Sequence, residues 1–128
     1  MKYLPKLLVF AVLVMSTCIF SEELHLVSIK CIETEDFTGA DDAYIVINGN
    51  TVWQRKMNNG QQRSINIAPI KFSKSITVEL YDEDSGPWDD DDCLGSQIVR
   101  DSAKGMEDPL ELHYTEDGAN YIIYYKVK

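Results

Sequence analysis

Basic residues are in short supply in this chain: 12 lysines and arginines stand against 21 aspartates and glutamates, a formal charge of −9. Nucleic acid is therefore not expected as a partner, because its phosphates are repelled. An unassisted grip on an anionic membrane is disfavoured for the same reason. Histidine is scarcer still. His25 and His113, beside three cysteines, are too few for a zinc centre of ordinary composition. No Ser-His-Asp arrangement, glycine-rich phosphate loop or nucleophile motif is present, so no catalytic residue is assigned and the chain is not expected to be an enzyme. Paired carboxylates can serve a glycosidase, but a domain of this size offers little cleft for a sugar chain. A long apolar stripe of helical period is also missing. The one extended apolar run, Leu7 to Met15, is too short to span a bilayer comfortably, even with Ile19 and Phe20 added.

Lys2 and Lys6 precede that run, and Ser16, Thr17, Cys18 and Ser21 follow it. This is the layout of a secretory signal peptide. Cleavage after Cys18 suits the small-x-small rule, and residue 21 is the outer limit. An uncleaved anchor or a lipid on Cys18 is the alternative. Residues 1–21 thus read as the signal, and residues 22–128 as one small domain with a single core. Export places it outside the cell, or in the periplasm of a bacterium. The signal carries two lysines and no acid, so its loss moves the charge from −9 to −11.

The rest of the chain alternates polar and apolar residues in short runs broken by turns, which predicts an all-β fold. Leu24 to Ile32 is the first run, with Val27, Ile29 and Cys31 expected on one face. Ala43 to Ile47 and Thr51 to Met57 flank Asn48-Gly49-Asn50, a strong hairpin turn. Ile65 and Ile67 alternate before Pro69. Ile76, Val78 and Leu80 alternate before Tyr81. Gly95 to Arg100, Leu110 to Tyr114 and Tyr121 to Val127 complete the set. About eight strands in this length pack most naturally as a two-sheet antiparallel sandwich.

What the chain has in plenty is acid in two places. Ile32–Tyr44 holds Glu33, Glu35, Asp36, Asp41 and Asp42, and Tyr81–Gly95 holds Asp82, Glu83, Asp84 and Asp89 to Asp92. Neighbouring carboxylates repel by roughly 1–4 kcal/mol per pair. Solvated surface loops are the ordinary fate of such runs. These two lie at the ends of β-runs, however, and in a sandwich they can meet at one end, where a cation would be needed. Oxygen-only ligands of this density favour a hard ion, Ca²⁺ ahead of Mg²⁺. Asp82 and Asp84, two apart, point to one side of an extended segment. Asp36 and Asp42 flank Thr38-Gly39 and can converge from the other loop. Backbone carbonyls near Glu35 and Glu83 would complete the shell. An EF-hand starting at Asp82 fails, because Pro87 and Cys93 stand where glycine and glutamate are required.

With these residues in view, DDAY followed by IVING, then VELYDED and DDCLG, resembles the C2 domain superfamily over residues 24–128. The resemblance implies a C2-like sandwich in which Asp42 closes the first calcium loop, ahead of Ala43 where proline is commoner. Its partner is Asp36, six residues earlier. Asp82 and Asp84 open the other loop, and Asp92, three before Gly95, closes it. That loop is two residues longer than the family pattern, so Asp90 and Asp91 stand as alternatives to Asp92. One strand precedes the first loop and one is added at the C-terminus, which implies the permuted topology. The implied role is calcium-dependent attachment to phospholipid, with Phe37 and Trp88 as aromatic membrane contacts at the two loop tips. The alternative is a calcium-stabilised protein-interaction or structural module that does not bind lipid. Cys31 and Cys93, one beside each loop, either form a disulfide that staples the loops or remain as free thiols.

Overall fold

The computed structural model describes residues 21–84 and 90–128. The expected signal segment, apart from Ser21, and the expected membrane contact Trp88 lie outside the described residues. The described chain forms strands β1 (Glu22–Glu33), β2 (Asp41–Ile47), β3 (Asn50–Met57), β4 (Gln62–Ser64), β5 (Ile70–Phe72), β6 (Ser75–Asp82), β7 (Asp92–Arg100), β8 (Leu110–Tyr114) and β9 (Asn120–Val127). Seven match the expected runs; the eighth, β4, lies ahead of the expected Ile65–Ile67 alternation, which is not in a strand. The ninth is β5, three residues beyond the Pro69 break that pair with the start of β1. Among the described residues there is no α-helix, only the 3-10 turns Asp101–Ala103 and Glu116–Gly118.

The strands pack as two antiparallel sheets. One has the order β4-β1-β9-β8, with β5 also on β1; the other has the order β3-β2-β6-β7. Side chains from both inner faces fill the space between them. Ile29, Cys31, Tyr121 and Ile123 come from the first sheet, and Ile45, Val78, Leu80 and Leu94 from the second. In β9 the predicted face Tyr121, Ile123, Tyr125 and Val127 is the buried one. In β1 the expected face is interrupted. Leu24 and Leu26 are buried but Val27 is exposed, because a bulge between Leu26 and Ser28 resets the alternation before Ile29. Asn48 and Gly49 take positive φ in the β2–β3 turn, as a tight hairpin of matching twist requires.

Three strand ends define the acidic rim. The first acidic loop links β1 to β2, and the second links β6 to β7. Because β2 pairs with β6 and β6 with β7, Ala43 lies opposite Asp82, and Asp82 opposite Asp92. A second bulge matters here. Leu80 pairs with Gly95 but Tyr81 pairs with Cys93, so Leu94 is the extra residue. Leu94 and Gly95 are both buried, and beyond them Cys93 turns out beside Tyr81 while Asp92 turns in beside Asp82.

Candidate metal centre

The centre is built around Asp41, which is fully buried at the start of β2. Strand β2 begins two residues earlier than the apolar run suggested, and its alternation buries Asp41, Ala43, Ile45 and Ile47. A buried carboxylate needs donors. Asp41 has three: the Glu35 amide donates to Oδ2 at 2.8 Å, the Asp36 amide to Oδ1 at 3.2 Å, and the Tyr121 hydroxyl to Oδ2 at 2.6 Å. The first acidic loop is thereby folded back over its own strand. Thr34 adds a bond from its hydroxyl to the Asp36 carbonyl at 2.9 Å.

Around this anchor the carboxylates gather in two groups that share Glu35. Oxygens of Glu35, Asp36, Asp41 and Asp82 lie within 4.8 Å of one another, as do oxygens of Glu35, Asp84 and Asp92. Asp82, at 1% exposure, accepts the Asp42 amide at 2.7 Å through Oδ1. With both groups ionised, its Oδ2 accepts no hydrogen bond, nor does Glu35 Oε2, although both atoms are buried; a proton on Glu35 is shared with Asp82. Orphaned buried acceptors facing like charge cost on the order of 1–3 kcal/mol each or more. A hard cation removes that cost by taking both oxygens as ligands, and an all-oxygen donor set fits calcium better than a transition metal.

Without a cation the cluster holds protons instead. Burial, with Asp82 and Asp36 close by, pushes Glu35 up to about 8. Burial and the Asp41 charge push Asp82 up to about 6 against the lowering effect of the Asp42 amide. A carboxylate whose folded value lies above its ordinary value stabilises the fold least once it is ionised. The calcium-free protein is therefore expected to lose stability as pH rises from about 5 to about 8, and the stabilisation by calcium to grow over the same range. Melting in chelator and in calcium at four pH values checks this; a flat or rising chelator series contradicts it.

The residues expected from sequence divide unevenly. Asp36, Asp82, Asp84 and Asp92 converge. Asp42 does not. One residue along β2 from Asp41, it faces outward, with a carboxylate 3.9 Å from the Lys56 ammonium. Asp41 takes the inward place that was expected of Asp42. Glu35, expected to offer only its carbonyl, contributes the carboxylate common to both groups. Asp90 is exposed and enters neither group. Asp91 braces the second loop, accepting the Tyr44 hydroxyl and, at 3.2 Å, the Asp84 amide. Cys31 and Cys93 are free thiols rather than a disulfide. Cys31 points into the core from one sheet, whereas the Leu94 bulge turns Cys93 to the outer face of the other. Phe37 stands fully exposed at the tip of the first loop, beside a 300 Å³ cleft that it lines with Glu33, Thr34, Asn59 and Asp117.

No family model matches this sequence, and no curated protein matches it. Solved structures do match. One is the tandem C2 domains of extended-synaptotagmin 2, 20% identical with a TM-score of 0.50, covering 84% of this chain and 40% of that one. The fold is C2-like. A second match, human group IVD cytosolic phospholipase A2, is 11% identical with a TM-score of 0.51 and covers 84% of this chain and 16% of that one. At these identities the likeness is one of fold, and this C2-like domain spans less than half of either chain. Within this fold the strand pairing brings the two acidic loops to one end of the sandwich, where Glu35 and Asp82 meet.

Proposed function

We propose that this C2-like domain binds calcium between its two acidic loops and uses the ion to attach to phospholipid surfaces outside the cell, as a binding module rather than a catalyst. The observation that carries the reading is the pair of buried acceptors without donors, Glu35 Oε2 and Asp82 Oδ2, inside a ring of carboxylates. When bound, calcium supplies the positive charge that neutralises this rim and leaves coordination positions that lipid phosphate can fill. Glu35, Asp36, Asp82, Asp84 and Asp92 would hold it. Asp41 and Asp91 keep the two loops in place, and Phe37 offers its ring to the acyl boundary. Affinity for calcium alone is expected at about 10⁻⁴ to 10⁻³ M, the range of extracellular modules. The lysines and apolar run at the N-terminus support export.

Sedimentation with phosphatidylserine vesicles, with calcium or with chelator, tests the proposal. The protein is expected to pellet only with calcium. Phe37→Ala should weaken binding to vesicles about tenfold or more, since a buried aromatic contributes roughly 1.5–3 kcal/mol, while calcium still raises the melting temperature. Equal pelleting in both conditions contradicts calcium-dependent attachment. Calcium stabilisation with no pelleting at all leaves a calcium-rigidified interaction module.

A further inference from the structure

The centre contains a group that touches no part of the acidic rim's open face yet holds it in shape. Tyr121 lies on β9, the strand flanked by β1 and β8 in the five-stranded sheet, and is fully buried. Its hydroxyl crosses the core to Asp41 on β2 of the other sheet, at 2.6 Å. Asp41 in turn binds the amides of Glu35 and Asp36, consecutive residues whose carboxylates both belong to the cation group. Three hydrogen bonds therefore run from β9 of one sheet, through Asp41 on the other, to two ligands on the loop that joins the sheets. Cys31, also fully buried, lies against the same phenol oxygen.

We propose that Tyr121 is a positioning residue for the cation centre: its hydroxyl pins Asp41, and through Asp41 the Glu35–Asp36 turn, in the arrangement that receives calcium. The inference rests on the calcium reading above and adds that calcium affinity is set in part by a hydroxyl buried between the sheets. The physical reason is preorganisation. Glu35, Asp36, Asp41 and Asp82 are four carboxylates within one small volume, and before a cation enters they push apart. Two of the three donors on Asp41 belong to the very loop that must be held, so they move with it. The Tyr121 hydroxyl is the donor that ties the cluster to a part of the molecule that cannot follow. Without it the loop spreads in the calcium-free state, and binding must gather it again.

The fold provides a matched control. Tyr114 is equally buried, and its hydroxyl also crosses between the sheets, but it donates to the Val78 carbonyl at 3.0 Å rather than to a carboxylate of the cluster. Tyr121→Phe and Tyr114→Phe each remove one oxygen and leave the ring in the core. In the full chain, calorimetric titration with calcium chloride is expected to show affinity about tenfold weaker for Tyr121→Phe and unchanged for Tyr114→Phe. Melting in chelator should drop for both. Amide exchange at Glu35 and Asp36 should quicken in calcium-free Tyr121→Phe and return to normal when calcium is saturating. Unchanged calcium affinity in Tyr121→Phe, or equal weakening in the two variants, overturns the positioning role and leaves the calcium reading intact. A wild-type chain that takes up no calcium overturns the calcium reading, and this inference with it.

Discussion

Replacing Gly95 with alanine is expected to remove about 3 kcal/mol or more of stability, a large share of the roughly 5–15 kcal/mol that holds a typical domain together. Two causes add. Gly95 has φ +149°, in the half of conformational space that side chains avoid. A Cβ there also falls 2.9 Å from Tyr114 Cδ1 and 3.4 Å from its Cα. The ring has nowhere to retreat, because Tyr114 is fully buried and tied through its hydroxyl to Val78. Backbone strain of about 1–3 kcal/mol thus combines with overpacking of similar size. Urea unfolding of the wild type and Gly95→Ala measures the sum, and a difference below about 1 kcal/mol contradicts this account. The other positive-φ glycines have open space where a Cβ would go, so alanine at Gly60, for example, meets the backbone cost alone.

Asp82→Asn should move stability in opposite directions with and without calcium. In the calcium-free protein the substitution removes a buried charge from beside Asp41. Once Glu35 is ionised, an asparagine can keep its Oδ1 on the Asp42 amide while its new amide group donates to Glu35 Oε2. Satisfying that acceptor and relieving the repulsion is expected to raise stability by about 1–3 kcal/mol, which in a domain of this size is a rise of several degrees in melting temperature. Calcium affinity, by contrast, should fall roughly a hundredfold, since ligand charge count tunes such sites. Melting curves in chelator and in millimolar calcium check both halves. A variant less stable than the wild type in chelator would show that the Asp82 carboxylate is held by more than the Asp42 amide.

Several features were legible because local chemistry dictates them. Asn48-Gly49 had to be a hairpin turn, the alternation of β6 survived folding intact, and the expected face of β9 is buried, with Ile122 covered as well. The meeting of the two acidic runs followed from their positions at strand ends. The site was less legible where it depended on phase rather than composition. Asp41 and Asp42 are chemically identical neighbours, and only the start of β2 at Asp41 decides which one faces inward. An alternation judged from Ala43 onward and extended back two residues would have found Asp41. Glu35 was passed over as a side chain because its role depends on Asp41 gripping its amide, a contact six residues away that no local pattern announces. The bulges at Leu26/Ser28 and Leu80/Tyr81 had no signal in the apolar pattern, though Gly95 beside the second was a mark of irregular backbone.

The extra residue at Leu94 also decides what kind of ion the rim can prefer. If β7 ran from Gly95 in strict alternation, Cys93 would look toward Asp82 and Asp92 would look away. The mouth would then offer sulfur among its oxygens, a donor set suited to zinc or copper and open to oxidation. One kink in an edge strand keeps the thiol on the far side of the sheet and leaves the rim with oxygen donors alone, a set decided by backbone geometry as much as by acid content.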